Sequence, residues 1–291
     1  MMKKTIVYKA TNQFTLEADF YESNRPNAPV IAYIHGGGLL WGEKEEISDD
    51  LIQLYTNNGY GLFSINYRLA PETKIEHILD DVQDALNWLT TEGPKEFSID
   101  ASKIAVIGSS AGGFLALSTG IFATKPRAIV SFYGYGDISA DWATKPNSHY
   151  CEKDKVSKEM AQQLIGNAVL TNASVEERFL LYLYARQTGE WIQLITDLNP
   201  ALHVDELKKL SPMYNVSADY PPTLLLHGTK DVDVPYLQSV FMRAALIKEN
   251  VKAKLITIPN GEHVFERDFH NPTVQNALQE VLDFLHIHLN D

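Results

Sequence analysis

Apolar residues along this chain gather in short runs, separated by longer segments with helical spacing. Thr5–Lys9 and Phe14–Tyr21 read as two strands joined by a turn at Thr11-Asn12-Gln13, the second with partial apolar/polar alternation. Val30–His35, Gly61–Asn66, Lys103–Gly108, Ala128–Tyr133, Thr223–His227 and Lys254–Ile258 are further short β-rich runs. Helical spacing fills Glu45–Asn58, which stops at a C-capping Asn58-Gly59, and Ile75–Thr91, with Ile78, Val82, Ala85 and Leu89 on one face. Further helices are expected from about Ala111 to Ala123, over Pro235–Glu249 and over Asn271–Leu289. Strands apolar on both faces and separated by helices predict an α/β fold: a mostly parallel eight-stranded sheet flanked by helices.

One segment breaks the alternation. Residues 138–218 carry no convincing strand, only helical patterns at Lys158–Ile165, Val175–Thr188 and Trp191–Leu198. Ordinary connections in such folds take about 2–6 residues. The segment is therefore expected to be a helical lid inserted after strand 6, within a single domain spanning residues 1–291.

Composition narrows the function classes. Hydrophobic residues make up 45% and charged residues 21%, ordinary for a globular chain, with no repeat or low-complexity tract. A formal net charge of −12 argues against nucleic acid or an anionic membrane as the main partner. Cys151 is the only cysteine, so no intramolecular disulfide can form. The apolar run after Lys3-Lys4 is too short for a signal peptide, and no stretch approaches the roughly 20 residues of a membrane span. A soluble, cytoplasmic location is the expectation.

The chemistry begins at Gly108-Ser109-Ser110-Ala111-Gly112-Gly113, which fits G-x-S-x-G with Ser110 at its centre. It lies between a strand and a helix, the context in which a sharp turn lifts a serine hydroxyl above a sheet. Such a serine needs a base, and the base needs an orienting acid, in the chain order Ser, acid, His. His263, just past the last strand, is the expected base. Asp231 and Asp233, just past the seventh strand, compete for the acid role, with Asp231 preferred. His286 and His288, two apart on a helix, face different sides and make no metal pair. Three consecutive glycines in His35-Gly36-Gly37-Gly38 leave bare backbone, which suits an oxyanion approaching main-chain N–H groups.

Together with Asn66-Tyr67-Arg68-Leu69-Ala70-Pro71-Glu72, these stretches resemble the hormone-sensitive-lipase branch of the α/β-hydrolases, and the likeness runs through nearly the whole chain. His227-Gly228-x-x-Asp231-x-x-Val234-Pro235 resembles the acid motif widespread in the superfamily and supports Asp231 over Asp233. The resemblance implies an oxyanion hole from the amides of Gly37, Gly38 and Ala111, with His35 bracing the loop. The chain departs from the branch in having Asn66 where Asp is usual, in lacking a longer N-terminal lid segment and in its large insertion.

The expected function is a carboxylesterase: Ser110, His263 and Asp231 cleave a small-molecule ester through an acyl-enzyme. Leu39, Trp41, Phe179 and Tyr182 are candidates for the substrate pocket. The same triad would serve an amide-cleaving peptidase or formamidase, and the scaffold would serve a non-catalytic ligand-binding protein. No cofactor or metal is expected: there is no His-x-x-x-His pair, cysteine cluster, Walker loop or Gly-x-Gly-x-x-Gly after a strand. Oligomeric state is not legible.

Overall fold

A computed structural model describes residues 3–290. Met1, Met2 and Asp291 lie outside the described residues, and with them the first two positions of the N-terminal stretch read above for a leader.

Eight strands form one sheet: β1 (Lys3–Ala10), β2 (Thr15–Tyr21), β3 (Ala28–Ile34), β4 (Gly61–Ile65), β5 (Ile99–Ser109), β6 (Ala128–Phe132), β7 (Thr223–Gly228) and β8 (Ala253–Ile258). Their order across the sheet is β1-β2-β4-β3-β5-β6-β7-β8. Only β2 runs against the others, pairing antiparallel with β1 and β4. The expected architecture is therefore present, strand for strand.

Side chains alternate between two apolar layers, as the two-residue strand period requires. Val30, Ala32 and Ile34 of β3 join Val106 and Ile129 on the face covered by helices Ile75–Thr91 and Leu237–Lys248. Ile31 of β3 joins Ala105, Ile107, Val130 and Leu226 on the face covered by helices Asp49–Asn57 and Pro272–Asn290. Burial on both faces explains why these strands read as continuous apolar runs.

Register sets the edge where chemistry can happen. Ile34 of β3 stands opposite Gly108 of β5, Gly108 opposite Ser131 of β6, and Phe132 of β6 opposite Leu226 of β7. The glycine loop, the Ser110 turn and the loops after β6, β7 and β8 thus leave the sheet on one side, its carboxyl edge.

Helix boundaries differ from expectation where local capping overrides periodicity. The helix expected from Glu45 starts at Asp49, because Ser48 Oγ accepts the Leu51 N–H at 3.3 Å and caps it there. Lys44–Glu46 form a separate 3-10 turn. The helix expected to Ala123 stops at Ser118 and tightens into a 3-10 turn over Thr119–Ile121.

Between β6 and β7 the chain is helical, without a strand among the described residues. Lys158–Gln163, Val175–Thr188 and Trp191–Thr196 match the expected patterns, while the short helices Asp141–Thr144, Ser148–Cys151 and Val204–Leu210 carry too few turns to show a period. Val175–Thr188 begins with a capping box between Ser174 and Glu177 and ends at left-handed Gly189. This segment is fastened to the loops after β3 and β4. Gly42 N–H donates to Ala173 O at 2.8 Å, Leu69 N–H to Leu170 O at 2.8 Å, and Trp191 Nε1–H to Gly38 O at 3.0 Å. Among the described residues no helix is long and apolar enough to cross a membrane.

Candidate active site

Ser110 sits between β5 and helix Ala111–Ser118 with φ 56° and ψ −118°. A non-glycine residue held there costs about 1–3 kcal/mol, and such strain persists only where the surroundings enforce it. They do so by close approach. A Cβ on Gly112 would meet the Ile34 carbonyl oxygen at 2.0 Å, so the glycine lets the turn pack against the end of β3.

The serine, histidine and aspartate expected from sequence meet in one hydrogen-bonded chain. Ser110 Oγ stands 3.0 Å from His263 Nε2, and His263 Nδ1 stands 2.7 Å from Asp231 Oδ2. With Nδ1 donating to the carboxylate, Nε2 is free to accept the serine proton. Asp231 is fixed in turn: its Oδ1 accepts the N–H groups of Asp233 and Val234, both at 2.9 Å. Burial opposes its ionisation, but hydrogen bonds from His227 and His263 outweigh burial and hold it well below the usual carboxylate range. For His263, burial lowers the pKa, while its bond to Asp231 and the negative charges of Asp233, Asp231 and Glu266 more than offset it, leaving it raised.

The glycine loop crosses directly over this turn. A Cβ on Gly36 would lie 3.3 Å from the Ser110 Cβ. Gly37, at φ +95°, allows no side chain, since its Cβ would fall 2.0 Å from the Trp41 carbonyl oxygen. The N–H groups of Gly37 and Gly38 meet no acceptor among the described residues. Ala111 opens its helix, where first-turn N–H groups have no intrahelical partner. His35 is fully buried and stacks on Tyr67 at 4.2 Å, and Tyr67 Oη–H donates to the His35 and Gly36 carbonyls at 3.1 and 3.0 Å. Burial lowers the His35 pKa to about 4, so it is neutral near pH 7.

A cavity of about 260 Å³ opens above Ser110. Of the pocket candidates, Trp41 and Tyr182 line it, their rings edge to face at 5.1 Å. Leu39 and Phe179 do not. Leu39 is fully buried in the apolar core, its carbonyl accepting the Ala70 N–H at 2.8 Å, and Phe179 packs half-buried against the same core. Sequence reasoning missed the polar walls: Tyr33, Glu46, Tyr133, Glu266 and Arg267. Glu266 and Arg267 follow His263 so closely that their place in the cavity had a signal. Tyr33, inside an apolar strand, had none.

Asp233, set aside as the triad acid, also lines the cavity. Its Oδ1 accepts the Tyr182 hydroxyl at 2.5 Å, and Arg186 donates to its carbonyl at 3.0 Å. The buried Arg186 guanidinium lies 5.3–5.8 Å from the rings of Trp142, Tyr150, Tyr182 and Trp191.

A mostly parallel sheet with a serine lifted on a strand–helix turn at its carboxyl edge is the α/β-hydrolase fold. The BD-FAE family model matches residues 19–246, and the chain belongs to that family. A protein of unknown function from Staphylococcus aureus subsp. aureus Mu50 has the same fold, with TM-score 0.80, 26% identity and 99% and 100% of the two chains covered. An α/β hydrolase superfamily protein from Enterococcus faecalis superposes with TM-score 0.77 at 22% identity, covering 98% of each chain. The acetyl ester-xyloside bifunctional hydrolase of Caldicellulosiruptor lactoaceticus does so with TM-score 0.69 at 21% identity, over 97% of this chain and 95% of that one. Among curated proteins, the non-reducing polyketide synthase trt4 of Aspergillus terreus is 26% identical, covering 99% of this chain and 14% of that protein. Preu3 of Preussia isomera is also 26% identical, over 96% and 13%. This chain thus spans about one seventh of those relatives' length.

Proposed function

We propose that the protein is a cofactor-independent serine hydrolase that cleaves small carboxylic esters. The observation that carries this reading is the unbroken chain Ser110–His263–Asp231, with contacts of 3.0 and 2.7 Å. Ser110 Oγ attacks the ester carbonyl while His263 Nε2 takes its proton. The tetrahedral oxyanion accepts hydrogen bonds from the N–H groups of Gly37, Gly38 and Ala111, each worth on the order of 10²–10³ in rate when preorganised. Imidazolium then protonates the departing alkoxide, leaving an acyl-enzyme on Ser110. Water, deprotonated by the same imidazole, hydrolyses it. Asp231 stays ionised throughout and stabilises the imidazolium.

The helical segment 138–218 acts in this reading as a lid, with Tyr182 supplying part of the cavity wall. Solved structures of the same fold include esterases, such as Est2 of Thermogutta terrifontis, which supports esters as the substrate class. The test pairs fluorophosphonate labelling with p-nitrophenyl ester hydrolysis. Labelling at Ser110 and turnover, both lost in Ser110→Ala, are expected. Labelling without turnover of any ester would point to amide cleavage, and neither would leave a binding protein.

A further inference from the structure

One wall of the cavity is built as if to meet something polar. Tyr33, Glu46, Ser109, Tyr133, Glu266 and Arg267 all line it, although the sheet beneath is apolar. Tyr33 Oη and Ser109 Oγ share a hydrogen bond at 3.3 Å. The Tyr133 hydroxyl donates to Glu266 Oε1, and the Tyr133 ring packs against His263 with centroids 4.5 Å apart. Glu266 is only 7% exposed, and its second oxygen, Oε2, has no hydrogen-bond partner among the described residues. A buried carboxylate oxygen left unmatched is costly. Tyr133 accounts for one oxygen of this carboxylate, not for the other.

We infer that Glu266 is a specificity-determining residue whose Oε2 accepts a hydrogen bond from a donor group on the substrate. The inference rests on the ester-hydrolase reading and deepens it. The preferred esters carry a hydroxyl or a cationic N–H group a few atoms from the carbonyl, whereas plain alkyl esters leave Oε2 unmatched. Anionic esters are disfavoured, because Glu46, Asp233 and Glu266 together outnumber the Arg267 guanidinium on the cavity wall. Sites built around a polar partner reject analogues lacking it far more strongly than apolar pockets reject a missing methylene.

Two matched sets of esters test this. Acetates of propanol, 1,3-propanediol, 3-guanidinopropanol and 4-hydroxybutanoate vary the alcohol, and p-nitrophenyl butanoate against 3-hydroxybutanoate varies the acyl part. In at least one set, kcat/KM for a donor-bearing member should exceed that of its alkyl partner about tenfold or more, with the carboxylate poorest. The hydroxyl and guanidinium members separate the two donor sources. In Glu266→Gln, whose amide keeps an acceptor for Tyr133 but presents N–H to the cavity, that ratio should collapse towards one. Because the ratio is taken within one variant, a general loss of activity does not move it. Equal kcat/KM across both sets in the native protein, or an unchanged ratio in Glu266→Gln, overturns the inference and leaves the hydrolase reading standing. No turnover of any ester overturns both.

Discussion

Asp233 Oδ2 stands 3.8 Å from Nε2 of His263, while Asp231 Oδ2 bonds Nδ1 at 2.7 Å, although the two acids are only two residues apart. The loop after β7 thus presents one carboxylate to each nitrogen of the same imidazole. They are not equivalent. Asp231 takes the Nδ1 bond and two backbone N–H groups, while Asp233 is tied to Tyr182 and Arg186 and reaches His263 only at longer range.

In the proposed mechanism, Asp233 therefore tunes the base. A nearby carboxylate favours imidazolium, and Asp233 is among the groups that raise the His263 pKa. Catalysis needs the neutral imidazole, so activity falls as pH drops through that raised value. In Asp233→Asn the pKa falls and the acid limb of the kcat/KM–pH profile moves to lower pH. Asparagine still accepts the Tyr182 hydroxyl. A limb that stays put or moves upward refutes this role.

Asp231→Asn should be far more damaging at every pH. It removes the carboxylate that selects the Nδ1–H tautomer, a change worth roughly 10⁴ in kcat for triads of this type. Steady-state kinetics on one ester, with Asp233→Asn measured beside it, check the contrast. Comparable losses in the two variants would contradict the assignment.

Ser110→Ala should abolish turnover, on the order of 10⁴–10⁶ in kcat. Its neighbour Ser109 bonds Tyr33, whereas Ser110 bonds His263, so Ser109→Ala should keep most of the activity. Active-site titration distinguishes a slow enzyme from a small active fraction.

The cavity bounds acyl length. A volume of about 260 Å³ holds a small ester, so activity should climb with chain length over roughly two to six carbons and then fall. Each methylene adds about 0.8 kcal/mol of burial until the space is full. A maximum at twelve carbons or beyond, or activation by an oil–water interface, would disprove this.

Arg186→Met should cost about 2 kcal/mol or more of stability, read as a lower Tm. The substitution keeps much of the apolar packing but removes the hydrogen bond to Asp233 and the cation facing four aromatic rings.

What the sequence discloses here follows from the range of each interaction. Strands buried on both faces announce themselves by continuous apolar runs. Ser110, Asp231 and His263 announce themselves because each sits just past a strand, at a turn with its own local signature. The cavity wall is different. Tyr33 and Leu39 flank the same glycine loop, yet one side chain lines the cavity and the other is fully buried. That outcome is set by strand register and by a left-handed Leu39, φ 65°, neither of which a local pattern encodes. Of the rings around Arg186, Tyr182 sits one turn away on the same helix, where spacing discloses it, but Trp142, Tyr150 and Trp191 come from other helices and converge on it only in three dimensions.

The fastenings between the helical insert and the glycine loop carry a practical consequence for anyone reshaping this molecule. Trp191 holds the Gly38 carbonyl, Ala173 holds Gly42, and the Tyr182 ring lies 3.0 Å from where a Cβ on Gly38 would stand. Selectivity and rate therefore cannot be adjusted on separate dials. A substitution that widens the chamber from above also slackens the backbone assigned to the oxyanion, so broader substrate scope should arrive with slower turnover. Variants selected for bulky esters are expected to need compensating changes in residues 36–42, distant in sequence from the substitutions that admitted the bulk but in contact with them.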